Sequence, residues 1–321
     1  MAESDRDRSS AANEARPPAG DRPGLHRRDF LRASLGAFAA ASCSPTPKAA
    51  TPKHDPEPAM TTPPTSTMPV VFVSHGAPTM ALDRTAGADF TRLAQRLPKP
   101  RAVLAVSAHW LDAPATIGTR SRRELLYDFS GFPAELYRVR YDAPAAADVA
   151  DELQRMVPSL QRADEHPWDH GVWVPLVHMF ARADVPVLQV SVPYRWSPRQ
   201  LFELGRSLAP LRDQGVLVLG SGGMVHNLGR LDWNGGTTPP AWATHFEGWV
   251  RQRLSTGDVD GLLAYRDHAP DLKLAHPTDD HFLPLLVAAG AATARGTADP
   301  VTFPIEGFEF GSLSRLAVRF G

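Results

Sequence analysis

A single cysteine, Cys43, is all that the chain of 321 residues carries. One thiol cannot close an intramolecular disulfide, so whatever the redox compartment the fold must be held by its core. Charge of either sign is in no excess: 34 basic against 35 acidic residues leave a net charge of −1. That balance offers no basic footprint for nucleic acid. No internal repeat is visible, and Gly220-Ser221-Gly222-Gly223 lacks both the Lys-Ser/Thr ending of a phosphate loop and the spacing of a dinucleotide fingerprint. Ser221 is not in a nucleophile elbow either, because the residue two before it is Leu219. What is present, 43% hydrophobic and 21% charged residues, describes an ordinary globular protein.

Aromatics are almost missing from the first 68 residues, where only Phe30 and Phe38 occur among Ala, Pro, Ser, Thr and charge. Such a stretch cannot bury enough apolar area to offset its ordering entropy. Within it, His26-Arg27-Arg28-Asp29-Phe30-Leu31-Arg32 leads into the mildly apolar residues 33–42. This resembles a bacterial twin-arginine export signal, which implies the twin-arginine translocase as a partner and an exported, periplasmic or membrane-anchored product. The apolar part is about half the roughly 20 residues that span a bilayer, which argues against a permanent transmembrane helix. Cys43 follows Ala40-Ala41-Ser42 where a lipoprotein signal places its acylated residue, but Ala40 stands where Leu is usual. Lipid anchoring at Cys43 and cleavage after Ala41 therefore both remain open. The expected organisation is a signal region at 1–43, a Pro/Thr-rich tether of extended reach at 44–68, and a folded body at 69–321.

In that body, apolar runs rich in Val and Leu at Val70–Ser74, Ala102–Ser107, Pro186–Val192 and Gly215–Gly220 read as buried strands. Between and after them, helical spacing marks Asp89–Leu97, Ala145–Val157, Val172–Ala181, Pro198–Leu211, Ala241–Leu254 and Asp280–Ala289. Val301–Ile305 and Leu313–Phe320 read as strand again. The alternation predicts an α/β fold with a mostly parallel or mixed sheet covered by helices.

Twelve histidines are present, and five sit where a strand ends or a loop opens: His75, His109, His170, His226 and His281. Residues just past the carboxyl ends of strands line the ligand crevice of an open sheet, so histidines distant in sequence can converge there. Neutral imidazole is the commonest protein ligand for Zn, Fe, Cu and Ni. Of the rest, His178 falls in an apolar helix as a core residue, and His166, His245 and His268 lie in polar or helical surroundings. His276 reads as a partner of a ligand or the start of a helix, while His26 and His54 belong to the signal and tether.

Six motifs come in one order: Ser74-His75-Gly76-Ala77-Pro78-Thr79, Ser107-Ala108-His109-Trp110, Tyr127-Asp128-Phe129 with Gly131-Phe132-Pro133, Trp168-Asp169-His170-Gly171-Val172-Trp173, Gly220-Ser221-Gly222 with Val225-His226-Asn227-Leu228, and His276-Pro277-Thr278 with Asp280-His281-Phe282-Leu283-Pro284. From about Pro69 to Gly321 the chain thereby resembles the class III extradiol ring-cleavage dioxygenases, with the DOPA dioxygenase group as the nearest branch. The resemblance implies a three-layer α/β/α fold, a non-haem Fe(II) site, for which some bacterial members carry zinc, and insertion of both atoms of O₂ into a small aromatic diol. It further implies His75 and His109 as metal ligands, with His226 and His281 at positions treated as ligands in that branch. In the protocatechuate-type branch the residue matching His226 is instead the base and a glutamate completes the triad; no glutamate here aligns with that position. A histidine set without carboxylate suits Zn²⁺ as well as Fe²⁺, and Zn²⁺ has no redox chemistry.

A catechol must lose protons to chelate through both oxygens, and histidine accepts protons near neutral pH. His170, just after Asp169, is the first candidate for that work and His226 the next. Trp110, Tyr127, Phe129, Trp168 and Trp173 are candidates for an aromatic wall, and Arg120, Arg122 and Arg123 for meeting a substrate carboxylate. Two other functions use the same histidines: a zinc-dependent hydrolase that activates water, and a non-catalytic metal-binding envelope protein with a closed shell.

Overall fold

The computed structural model describes residues 67–118, 124–236, 238–293 and 299–321. The export signal, Cys43, nearly all of the tether and the three arginines at 120, 122 and 123 lie outside the described residues. The body is built on an eight-stranded sheet whose strands are β1 (Val70–Ser74), β2 (Ala102–Leu111), β3 (Thr116–Gly118), β4 (Gln161–Arg162), β5 (Val187–Val192), β6 (Val216–Gly222), β7 (Val301–Ile305) and β10 (Ala317–Phe320). Their order is β4-β3-β5-β2-β6-β1-β10-β7, and β8 (Phe308–Glu309) with β9 (Leu313–Ser314) forms a separate hairpin. The four runs expected as strands form a parallel centre, with β1 pairing β6, β6 pairing β2, and β2 pairing β5. Antiparallel partners close both sides: β10 on β1 and β7 on β10 at one edge, β3 on β5 at the other.

Val70 to Ser74 are all buried, as are Val187 to Val192 and Val216 to Gly222, because helices cover both faces of the sheet. The helices are α1 (Arg84–Gln95), α2 (Ala147–Met156), α3 (His170–Met179), α4 (Pro198–Leu208), α5 (Ala241–Thr256), the short α6 (Val259–Leu263), α7 (Tyr265–His268) and α8 (Leu272–Ala275), and α9 (Leu283–Thr293). Alternate strand residues sort into two cores. Phe72, Leu104, Val190 and Val218 pack with α2, α4, α5 and α9, while Val71, Val103, Val187 and Leu217 pack with α1 and α3. The result is three layers, α/β/α. No helix among the described residues is long and apolar enough to cross a membrane.

Local chemistry explains where element ends differ from the pattern. α1 starts five residues before Asp89 because the Asp83 carboxylate accepts the Thr85 and Ala86 amides, which outweighs the weak helix propensity of Thr85 and Gly87. α4 opens with a reciprocal capping box between Ser197 and Gln200, and its α-helical part ends at Leu208, continuing as a 3₁₀ turn that begins with Ala209-Pro210. α9 begins only at Leu283, since Asp279, Asp280 and His281 are used in the turn before it, where Phe282 N–H donates to Asp279 O. The strand expected to end at Ser107 continues to Leu111, which carries His109 on β2 itself.

Candidate metal centre

The site lies past the carboxyl ends of β1, β2 and β6. His75 follows β1 directly, His109 points from the end of β2, His170 opens α3, His226 lies four residues beyond β6, and His281 stands in the turn before α9. Gly222 permits the close approach of this last segment: a Cβ there would lie 2.1 Å from the His281 carbonyl oxygen. Two hydrogen bonds fasten the pieces, His75 N–H to Gly222 O at 3.0 Å and Gly223 N–H to His281 O at 2.9 Å.

The ring centroids of His75 and His109 are 5.0 Å apart, those of His109 and His170 3.9 Å, and His281 lies 4.9 Å from His109 and 5.4 Å from His75. One nitrogen each from His75, His109 and His170 falls within 4.8 Å of the others. His226 stacks flat on His281, with centroids 3.5 Å apart and planes 4° from parallel. The five expected histidines thus share one space.

Their second nitrogens are pinned by neighbours. Ser221 Oγ donates to Gly171 O, so it accepts from His75 Nδ1 at 3.0 Å. The Asp128 carboxylate accepts from His109 Nδ1 at 3.2 Å and from His170 Nδ1 at 2.8 Å, and Asp280 accepts from His281 Nδ1 at 2.6 Å. These contacts put the proton on Nδ1 and leave Nε2 as a bare lone pair. His75 Nε2 and His109 Nε2 face one another at 3.1 Å, while His281 Nε2 is buried without a hydrogen-bond partner among the described residues. An orphaned buried nitrogen is unfavourable alone and, where other imidazole nitrogens converge, is what a cation between the rings satisfies. The donor set fits a divalent metal that accepts imidazole.

Electrostatics favours the neutral ring at His75, His170, His226 and His281, but not at His109. Burial, then the other imidazoles, hold His75 well below the ordinary histidine value; burial also lowers His170 and His281. His226 is pushed down to about 2 by burial and by His281 beside it. Burial acts on His109 in the same direction but is outweighed by the Asp128 hydrogen bond and the charges of Asp169, Asp128 and Asp280, so that ring is raised. Although burial pushes Asp128 up, its bonds from His109 and His170 hold it below the usual carboxylate range.

Sequence reasoning passed over the residues that hold the ligands. Asp169 sits at the N-cap of α3 without capping it: its carboxylate accepts from Ser107 Oγ at 2.6 Å and Gln189 Nε2 at 2.5 Å, all three buried. Asp169-His170 and Asp280-His281 carry a readable signal, an acid directly before a histidine. Asp128 stands in the third motif, but nothing local ties it to the histidines, since its partners are 19 and 42 residues away. Of the aromatic candidates, Phe129 stands edge-on to His170 at 5.5 Å with Tyr127 behind it at 6.1 Å. Trp168 and Trp173 are fully buried in the core, and Trp110 stacks on His166 at 3.8 Å. His166 is therefore half-buried rather than a plain surface residue. His276 is buried, donating Nε2–H to Met224 O at 3.0 Å, and His178 bonds Met80 O at 2.8 Å.

Residues 68–321 match the family described as the catalytic LigB subunit of aromatic ring-opening dioxygenase. The chain belongs to this family. As a LigB-family protein it is an extradiol ring-opening dioxygenase, and its relatives agree. It is 38% identical over 261 residues to the 4,5-DOPA dioxygenase extradiol of Escherichia coli, spanning 79% of this chain and 95% of the relative. The protein of the same name from Beta vulgaris is 37% identical over 238 residues, 71% of this chain and 88% of that one. Among solved structures, an uncharacterized protein of Escherichia coli K12 superposes with a TM-score of 0.67 at 34% identity, covering 79% of this chain and all of the other.

Proposed function

We propose that this LigB-family enzyme opens the ring of a small, DOPA-like catechol with O₂, with Fe(II) held by His75, His109 and His281 and with His170 and His226 serving the substrate's protons. The observation that carries the ligand set is the state of the Nε2 atoms: His75 and His109 confront each other at 3.1 Å, and His281 Nε2 is the one nitrogen of the cluster that is both buried and unpartnered among the described residues. Bound there, Fe(II) supplies the redox-active centre at which O₂ and the catechol oxygens meet, a role closed to Zn(II).

The protein residues do the rest. The His170 Nδ1–H bond to Asp128 stabilises the imidazolium formed when its Nε2 takes a catechol proton, and Asp128 and Asp169 offset the unfavourable helix N-terminus on which it sits. His226, kept neutral, accepts a hydrogen bond from the second hydroxyl and orients it. Phe129, edge-on to His170, gives the ring a wall to pack against. Arg27-Arg28 with Phe30-Leu31 and the following apolar stretch support export of the folded protein by the twin-arginine route, with Cys43 as a lipid anchor or Ala41 as the last residue removed.

Metal content and turnover of three variants test the assignment. His281→Ala is expected to lose the metal, while His170→Ala and His226→Ala keep it and lose about 10²–10⁴-fold in kcat. A His281→Ala protein that keeps its metal while His170→Ala loses it would make His170 the third ligand. Water-dependent ester or amide cleavage by the Zn(II) form, with no O₂ consumption by the Fe(II) form, would overturn the dioxygenase assignment in favour of a hydrolase.

A further inference from the structure

Three acids surround the histidines, and they are held differently. Asp128 and Asp280 bond imidazole rings directly, and their side chains keep 20% and 25% of their surface exposed. Asp169 is fully buried and bonds no histidine ring among the described residues. Its carboxylate accepts from two neutral donors that are buried with it, Ser107 Oγ on β2 and Gln189 Nε2 on β5. Although it precedes α3, its carboxylate accepts none of that helix's amides.

Two neutral donors do not offset the transfer of a carboxylate out of water, so a charge this deep is costly unless a cation lies near it. Gln189 is arranged for an anion as well: its Nε2 donates to Asp169, while its Oε1 is buried with no partner among the described residues. The opposite orientation of that amide would suit a neutral, donating side chain at 169. Ser107 stands two residues before His109 and its Oγ accepts the His109 N–H at 3.2 Å, which joins the acid to the strand end that carries a proposed ligand. Of the charges acting on His109, that of Asp169 is the largest, ahead of those of Asp128 and Asp280, as expected where no solvent screens it. Non-haem oxygenases commonly hold Fe(II) with two histidines and a carboxylate, which brings a negative charge to the ion. The set His75, His109 and His281 brings none.

We propose that Asp169 is the counter-charge of the all-histidine site, a buried carboxylate behind His109 that supplies the negative charge a ligating carboxylate would bring. It is a positioning residue, acting through its field at His109 and through the hold of Ser107 on the His109 backbone. The inference rests on the metal reading above. Such a charge stabilises the loaded protein and destabilises the empty one. It also holds the Fe(III)/Fe(II) potential low, because it favours the trivalent ion more.

Asp169→Asn keeps the shape of the side chain, and a turned Gln189 amide can offer its Oε1 to the amide introduced, so the hydrogen bonds survive and the charge alone is lost. In the full chain at about pH 8, where free imidazole is neutral, Zn(II) affinity measured against a competing chelator is expected to fall about 10–100-fold. The urea midpoint of the metal-free protein should lie at or above that of wild type, and the Fe(III)/Fe(II) potential should rise. A residue that only held the fold together would lower that midpoint when replaced. Asp169→Asn combined with Gln189→Glu puts a carboxylate back on the neighbouring side chain and should recover most of the Zn(II) affinity. Ser107→Ala, which keeps the charge, should weaken Zn(II) less than Asp169→Asn does. Unchanged affinity and potential in Asp169→Asn, a metal-free Asp169→Asn protein less stable than wild type, or no recovery in the double variant would each overturn the assignment and leave the metal site standing. A wild-type chain that binds neither Zn(II) nor Fe(II) would remove the metal reading and this inference with it.

Discussion

Asp128 is the residue on which most of the site's order converges, because one carboxylate fixes the tautomer of both His109 and His170. Asp128→Asn keeps the shape and removes the charge, so His109 loses basicity as a ligand and His170 loses support for its protonated form. The expected result is about a 10–100-fold loss in metal affinity or kcat, read by metal titration and steady-state turnover. Wild-type values for both would show that Asp128 does not govern either ring. All five site histidines and the acids at 169 and 280 were visible in the sequence as local motifs. The dependence of two rings on one distant carboxylate was not, because it arises only when the 124–140 segment folds over the start of α3, as the Leu126 N–H to Trp168 O hydrogen bond records.

At the scale of elements, the site is positioned by contacts that admit almost no added volume. α4 and α9 pack backbone to backbone, such that a Cβ at Gly205 would lie 1.9 Å from Val287 O. Gly205→Ala is therefore expected to destabilise the fold by about 2–4 kcal/mol, seen as a lower urea midpoint at unchanged slope. An unchanged midpoint would mean that the two helices can separate freely. The central parallel strands were legible because both of their faces are apolar, which leaves few alternatives for runs of Val and Leu. β3, β4 and the antiparallel pairing of β7 and β10 were harder to read: β3 and β4 are short, and β7 is only partly buried, so packing against their neighbours decides them. The late start of α9 was hidden for a related reason, since Asp279 bonds Tyr265 and Arg266 and Asp280 holds His281 instead of continuing a helix.

For the molecule as a whole, the family match begins at residue 68, where the Pro/Thr-rich stretch gives way to the first strand. A protein spanning 69–321 is expected to fold and bind metal as the full chain does. Because the ion joins segments far apart in sequence, filling the site at about 100 times its dissociation constant should add about 2.7 kcal/mol. That corresponds to a Tm rise of about 5–10 °C in a domain of this size, lost on adding a chelator and absent in His75→Ala. The fold class and the convergence of the histidines were legible because each follows from repeated local patterns. The central claim, that these histidines hold a metal for oxygenation of a catechol, is tested most directly in one anaerobic cuvette. The protein is loaded with Fe(II), DOPA is added, and air is then admitted while oxygen uptake and visible absorbance are followed together. One O₂ consumed per catechol with a yellow ring-opened product, both lost in His75→Ala, is the expected result; bound Fe(II) with neither oxygen uptake nor colour would contradict it.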